Sequence, residues 1–276
     1  MKKLKNFYVL YVMFLGLLIT GCCQQNLKTN QVNTKLNFIN HINESVVAFP
    51  NYGPEGNFRG LYCSGFFVDE KHIVTARHCL IDTSKIDVHK AFFGTGDDET
   101  NSILYNQMLL EEIDKIDEVP ILKYENVFPI QTKLVYMNIK TVGEFPDFND
   151  VAILEVINKA DYSKYWLKFS NTEPIVSDKV FSINHLNQNP WFYTEGVIAK
   201  LFYEYEPKEN KKTLRLLTSN MTVFPGASGA ALLNKDGEVL GLTSYVQIYK
   251  NGQMMDFGFY VSYKQIDKFY RSILDN

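Results

Sequence analysis

The chain has few of the features that mark a metalloprotein, a repeat protein or a nucleic-acid-binding protein. Only four of its 276 residues are cysteine and five are histidine, and they form no cluster with zinc-site spacing. No segment repeats at a fixed period. Its 28 basic and 31 acidic residues leave a net charge of −3, which argues against a polyanionic partner such as nucleic acid. Acidic runs at 97–99 and 111–114 match no calcium-loop spacing, so neither a metal nor a cofactor is expected.

Long apolar runs are also missing, apart from one near the N-terminus. Residues 7–19 are almost entirely apolar and follow Lys2, Lys3 and Lys5. This run is too short to span a membrane comfortably, but it suits the hydrophobic region of a signal peptide. It leads into Leu18-Ile19-Thr20-Gly21-Cys22, which resembles the bacterial lipobox. The resemblance implies a signal peptide over residues 1–21 and lipid, such as palmitate, on Cys22. An ordinary secretory peptide followed by chance cysteines is the alternative.

The segment after the lipobox predicts where the folded part of the chain resides. Residues 22–37 are rich in Asn, Gln and Lys, a composition that predicts a flexible tether. The protein is then expected at a bacterial cell envelope, lipid-anchored on the periplasmic or outer surface. Cys63 and Cys79 can pair across a hairpin-sized loop, and such a disulfide needs an oxidising compartment of this kind. Cys23 has no assigned role.

Three distant segments each supply one member of a serine-hydrolase triad. His78 follows the strand-like stretch 72–76, Asp150 precedes the apolar run 151–156, and Ser228 lies in a glycine-flanked turn. A serine hydroxyl needs a neutral imidazole to take its proton, and a carboxylate to orient that imidazole. Taken singly, these residues could be a structural histidine, a turn-capping aspartate and a loop serine. Their combination favours a base, an orienting acid and a nucleophile.

The turn that carries Ser228 has the composition of an oxyanion-binding loop. Gly226 permits a backbone conformation that a side chain would block, and it lets the backbone approach a substrate closely. The N–H groups of Gly226 and Ser228 could then donate to a developing oxyanion. The apolar stretches 230–233 and 238–242, separated by a polar turn, predict two strands directly after this loop.

Together these segments resemble the trypsin/chymotrypsin-like serine peptidases, most closely the compact bacterial ones, in which histidine, aspartate and serine follow in this order. The stretches that carry the resemblance are 63–79, 150–156 and 219–261. It implies an all-β fold of two six-stranded antiparallel β-barrels, with the active site in the cleft between them and a short C-terminal helix.

The expected domain limits follow from this fold. Residues 38–165 would form the N-terminal barrel, and residues 166–276 the C-terminal barrel with the terminal helix. The helix is expected over residues 264–274, where apolar residues have helical spacing.

The resemblance also suggests which residues contact the substrate: Thr222, Thr243, Ser244, Tyr245, Val246 and Gly258. Thr222, at the expected pocket floor, carries no charge, and Val246 replaces a usual glycine and should narrow the pocket mouth. We therefore expect cleavage after small or medium-sized uncharged residues. Ala227 stands where many animal members carry an aspartate that receives the new N-terminus, so that route of activation is not expected.

The sequence therefore predicts a membrane-anchored serine endopeptidase that acts on proteins or peptides. Two other classes of function remain open at this point. One is a catalytically inactive member of the family that binds peptides or proteins. The other is a surface adhesin or structural lipoprotein whose barrels present loops. A complete triad with Gly226 argues against the first, because a binding module does not need all of these residues.

Overall fold

The computed structural model describes residues 36–81, 111–124, 126, 128–137, 150–185, 190–206, 210–221, 223–248 and 254–275. The chain divides into two units, residues 1–41 and residues 42–276, and the architecture below is that of the second. Residues 36–45 are helical. None of the helices within the described ranges is long and apolar enough to cross a membrane. The predicted signal peptide, Cys22, Cys23 and the tether up to residue 35 lie outside the described residues.

Six antiparallel strands close into the first barrel. In chain order they are β1 Val46–Tyr52, β2 Phe58–Phe67, β3 His72–Thr75, β4 Glu118–Lys123, β5 Ile130–Met137 and β6 Ala152–Val156. Their spatial order is β1-β2-β3-β6-β5-β4, and β4 pairs back to β1 to close the barrel. The predicted hairpin is present as β2 and β3, in which Phe66 lies opposite Val74.

The pairing of β3 with β6 determines where the candidate site forms. Both strands are short apolar runs whose side chains are almost all buried, as expected for strands covered on both faces. They run antiparallel, with Thr75 opposite Ala152. Because His78 follows the end of β3 and Asp150 precedes the start of β6, this pairing brings the two residues to the same edge of the barrel.

The second barrel repeats the six-stranded design. Its strands are β7 Lys179–Asn184, β8 Phe192–Glu206, β9 Lys211–Ser219, β10 Ala231–Asn234, β11 Val239–Ile248 and β12 Met254–Ser262. Their order is β10-β11-β12-β9-β8-β7, closed by pairing of β10 with β7. The two strands predicted directly after Ser228 are β10 and β11. The expected fold of two six-stranded antiparallel barrels is confirmed.

A C-terminal helix links the end of the second barrel to the first. It spans Tyr263–Leu274, one residue longer than predicted. Phe269 stacks on Tyr136 of β5 at a ring-centroid distance of 5.2 Å, and the hydroxyl of Tyr270 donates to Asp69 at 2.5 Å. The connection between β6 and β7 includes a 3₁₀ turn, Lys159–Asp161. The predicted domain limit at residues 165 and 166 falls in this connection and stays a prediction.

A buried histidine of the second barrel forms a hydrogen bond to the first barrel. His185 directly follows β7 and is fully buried, with its Nε2 3.0 Å from the carbonyl oxygen of Val47 in β1. The backbone N–H of Trp191 donates to its Nδ1 at 3.1 Å. A carbonyl can only accept and an N–H can only donate, so the ring is neutral and protonated on Nε2. Burial lowers the pKa of His185 from 6.5 to about 4, and the bond to Val47 opposes this shift.

This histidine should make the stability of the fold depend on pH. The unfolded chain takes up the proton at a higher pH than the folded protein, so the free energy of unfolding should fall as pH drops from about 6.5 to about 4. The loss should reach about 3 kcal/mol, since each pKa unit corresponds to about 1.4 kcal/mol. Urea unfolding at pH 7 and pH 4.5 should show a larger loss for wild type than for His185→Gln. Equal losses in the two proteins would contradict this assignment.

Candidate active site

His78 lies in a short 3₁₀ turn, Arg77–Cys79, that begins directly after Ala76. Its side chain is 38 % exposed, so it reaches solvent at the edge of the barrel. The neighbouring Cys79 forms a disulfide with Cys63 of β2. The disulfide closes a loop with a sequence separation of 16, for which the chain-entropy estimate is about 3 kcal/mol of stabilisation. The predicted bridge is therefore present, and it fixes the backbone beside the histidine.

The carboxylate of Asp150 fixes the orientation of the His78 ring. Oδ1 of Asp150 accepts the backbone N–H of His78 at 3.0 Å, and Oδ2 lies 2.7 Å from its Nδ1. A carboxylate can only accept, so Nδ1 carries a proton, and in the neutral ring Nε2 is then the unprotonated nitrogen. This is the tautomer in which Nε2 can take a proton from a nucleophile.

Asp150 remains ionised although it is almost completely buried. Burial raises its pKa, but electrostatic attraction to the His78 ring, the hydrogen bonds from His78 and Ser244, and the charge of Arg77 outweigh that effect and lower the pKa to about 2. The hydroxyl of Ser244 donates to Oδ2 at 2.6 Å. The carboxylate is therefore negative throughout the neutral range and held at both oxygens.

The turn that carries Ser228 is fixed by its glycines. Gly226 has φ +99° and Gly229 has φ +85°, conformations that L-residues with side chains rarely adopt. A Cβ on Gly229 would collide with the carbonyl oxygen of Ser64, so the turn packs directly on β2. Ser228 itself is half-buried, and its carbonyl oxygen accepts the backbone N–H of Ser64 at 2.7 Å.

The turn that carries Ser228 lies beside the disulfide that adjoins His78. Sγ of Cys79 lies 3.7 Å from the carbonyl oxygen of Ser228. The potential ligand atoms of Cys63, His78 and Cys79 lie within 4.8 Å of one another. Both sulfurs are bonded to each other, so this group lacks the thiolates that a zinc site would use. The three predicted triad segments thus converge at one place between the barrels.

The two predicted oxyanion donors have no acceptor among the residues that the structure describes. The N–H of Ala227 donates to the carbonyl of Phe224 and that of Gly229 to the carbonyl of Thr243, whereas the N–H groups of Gly226 and Ser228 make no such bond within the described ranges. A turn that leaves two N–H groups available in this way can stabilise negative charge on a bound acyl group.

Three of the residues predicted to contact substrate, Thr243, Ser244 and Tyr245, lie in β11. The backbone of Thr243 holds the turn in place: its N–H donates to the carbonyl of Ala230, and its carbonyl accepts the N–H of Gly229. Tyr245 stacks on Phe259 at 4.4 Å. The Ser244 hydroxyl is committed to Asp150, which leaves only its backbone for a substrate.

Three further substrate-binding predictions concern the pocket itself. Thr222 lies outside the described residues, and so does the side chain of Val246. Gly258 lies opposite Val246 in the β11–β12 pair, and a Cβ on Gly258 would collide with the side chain of Val223. Val223 therefore reaches across to Gly258. Nothing in the sequence singles out Val223, since it carries no polar group.

Solved structures of other proteins share the fold of two barrels. Two crystal structures share the fold, each with a TM-score of 0.54: a serine endoprotease from Yersinia pestis, at 17% identity over 86% of this chain, and the inactive serine-to-alanine mutant of Rv3671c from Mycobacterium tuberculosis H37Rv, at 15% identity over 87%. The alignments cover 65% of the Yersinia protein and 91% of the mycobacterial one, so this chain spans less than two-thirds of the former. No curated protein matches significantly.

A family match then identifies the chain. Residues 63–242, well over half of the sequence, match the family described as the trypsin-like peptidase domain. The chain belongs to this family. The matched residues run from the first disulfide cysteine into the first half of β11, and they include the candidate histidine, aspartate and serine.

Proposed function

We propose that this protein hydrolyses peptide bonds through an acyl-enzyme formed on Ser228, with His78 as base and Asp150 as the orienting acid. The observation that carries the proposal is the pair of hydrogen bonds that Asp150 accepts from the His78 backbone and ring. They hold the imidazole in the tautomer that accepts a proton on Nε2.

Each step of the reaction has a group assigned to it. As Oγ of Ser228 bonds to the scissile carbonyl carbon, its proton passes to Nε2 of His78 and the carbonyl electron pair moves onto oxygen. The resulting oxyanion accepts hydrogen bonds from the N–H groups of Gly226 and Ser228. Collapse expels the amine, which takes the proton from the imidazolium. Water then attacks the acyl carbon and gives a proton to Nε2 of His78. Collapse breaks the ester bond, Oγ of Ser228 takes the proton back from the imidazolium, and the carboxylic acid leaves.

Replacing the nucleophile tests this proposal. Ser228→Ala should abolish hydrolysis of an unstructured protein substrate and leave the thermal unfolding midpoint close to that of wild type, because one hydroxyl is lost from a half-buried position. Ser272→Ala, an exposed substitution on the C-terminal helix, is the matched control and should retain full activity. Turnover by Ser228→Ala near the wild-type rate would refute the assignment.

We propose a preference for small or medium-sized uncharged side chains at the cleaved bond. Val223, Tyr260 and Gly258 lie together, none of them carries a charge at neutral pH, and Val223 reaches to Gly258. A charged substrate side chain buried there would be desolvated without an ionic partner. Matched peptides with Ala, Val, Phe, Glu or Arg before the cleaved bond would measure this, and a preference of about a hundredfold for Arg or Glu would contradict it.

We also propose that the enzyme is anchored at the cell envelope by lipid on Cys22. The support is the lysine-rich start, the apolar run 7–19 and the lipobox-like residues before the cysteine. A mature N-terminus at Cys22, with the mass of attached acyl chains and partition into detergent, is the expected result, and Cys22→Ser should abolish both. A wild-type protein that begins downstream of Cys22 and stays in the aqueous phase would contradict the anchor.

A further inference from the structure

We infer that Ser64 is a positioning residue for the oxyanion-binding turn, acting through its hydroxyl and its backbone N–H. This inference rests on the proposed function of Ser228. Ser64 belongs to β2 of the first barrel and is fully buried, whereas the turn belongs to the second barrel. Its hydroxyl donates to the carbonyl oxygen of Gly226 at 2.7 Å, and its N–H donates to the carbonyl oxygen of Ser228 at 2.7 Å.

The direction of the hydroxyl bond is determined by its surroundings. The backbone N–H of His185 donates to Oγ of Ser64 at 3.3 Å. An N–H cannot accept, so the hydroxyl proton points to the remaining partner, the Gly226 carbonyl. His185 is in turn held by Val47 and Trp191. Ser64 therefore connects the turn to the hydrogen bonds of His185, which join the two barrels.

The two hydrogen bonds of Ser64 fix the orientation of two peptide groups in the turn. In the peptide between Gly226 and Ala227, the carbonyl is bonded by the Ser64 hydroxyl and the N–H by Phe224. In the peptide between Ser228 and Gly229, the carbonyl is bonded by the Ser64 N–H and the N–H by Thr243. These two peptides are therefore fixed at both ends.

The peptide between them is the one that leaves a donor available. Its carbonyl, that of Ala227, accepts the N–H of Ala230 at 2.9 Å, and its N–H is that of Ser228. With both flanking peptides fixed by Ser64, this N–H cannot rotate away without breaking buried hydrogen bonds. The carbonyl of Gly226 is likewise kept turned towards Ser64 and away from the position of the oxyanion.

Removal of the Ser64 hydroxyl should therefore destabilise the transition state more than it weakens substrate binding. In Ser64→Ala the buried Gly226 carbonyl loses its donor, and an unsatisfied buried carbonyl favours a turned peptide. We expect kcat to fall between about tenfold and a hundredfold, less than for outright loss of an oxyanion donor, with KM changed less than about twofold. The inhibition constant of a peptide trifluoromethyl ketone, which forms a tetrahedral adduct, should rise by the same factor as kcat/KM falls.

A matched control separates positioning from general stability. Ser262 is also fully buried, and its hydroxyl donates to the carbonyl of Leu214 at 2.7 Å, within the second barrel. Ser262→Ala removes the same type of bond, so it should lower the unfolding free energy comparably and leave kcat and the ketone inhibition constant at wild-type values. Rates are expressed per active site by titration with a fluorophosphonate.

The kinetics of the Ser64 and Ser262 variants distinguish a positioning role from a purely structural one. A fall in kcat with parallel weakening of the ketone in Ser64→Ala, absent from Ser262→Ala, supports the inference. Wild-type kinetics in folded Ser64→Ala overturn it and leave the serine peptidase proposal intact, whereas an inactive wild type refutes the proposed function itself. If Ser64→Ala does not fold, Ser64→Gly removes the same hydroxyl and keeps the N–H. Failure of both to fold would assign Ser64 to stability alone and overturn the inference.

Discussion

Asp150→Asn is expected to lower turnover by about 10⁴ while the protein stays folded. The wild-type carboxylate accepts from Nδ1 of His78 and keeps the proton there. An asparagine amide can donate to Nδ1 instead, which places the ring proton on Nε2 and removes the acceptor for the serine proton. Steady-state hydrolysis of a peptide substrate, with circular dichroism to verify the fold, measures this effect.

The structure offers a matched control for this substitution. Asp69 and His72 form a second aspartate–histidine pair in the same barrel, 2.6 Å apart, which also receives the hydroxyl of Tyr270. Asp69→Asn should alter stability, because this carboxyl has a pKa held well below its usual range by those bonds in spite of its burial, yet change kcat by less than about twofold. Turnover above a tenth of wild type in Asp150→Asn, or equal losses in both variants, would contradict the assigned role.

Gly229→Ala is expected to destabilise the protein by about 4 kcal/mol or more and to abolish most of its activity. The new Cβ would collide with the carbonyl oxygen of Ser64, and φ is +85° at this position. Relief requires the nucleophile turn to move off β2, which breaks the bond from the Ser64 N–H to the Ser228 carbonyl. Urea unfolding and kcat/KM on the same preparation measure both effects.

Gly56→Ala is the control that separates the effect of a steric collision from the effect of a positive φ. Gly56 has φ +76°, and a Cβ there would meet nothing within 4 Å. Gly56→Ala should therefore cost only the conformational strain, about 1 to 2 kcal/mol, and leave kcat/KM unchanged. If the two alanine variants lost equal amounts of stability, the close packing of the turn on β2 would not be important.

The sequence was sufficient to predict the elements that carry local signals. Alternating or continuous apolar runs marked β3, β6, β10 and β11, and helical spacing marked the C-terminal helix. The disulfide followed from two cysteines that flank a hairpin. The order of His78, Asp150 and Ser228 pointed to the two-barrel fold, which the structure and the family match bear out.

The supporting contacts of the site were not predictable in the same way. The bond from Ser64 to Gly226 joins residues 162 positions apart, and the bond from Ser244 to Asp150 joins residues 94 apart. No local pattern encodes such contacts, because they depend on how two closed barrels meet. The pairing of His185 with Val47 has the same origin, and a single histidine in the sequence carries no trace of it.

Covalent labelling with a fluorophosphonate tests the central claim most directly, because the reagent bonds to a serine only when a base has activated it. The native protein should gain the mass of one adduct, mapped to the tryptic peptide that contains Ser228. Ser228→Ala and wild type unfolded in denaturant should gain none, and Asp150→Asn should react far more slowly. An adduct on another residue, or equal labelling of wild type and Ser228→Ala, would contradict the account.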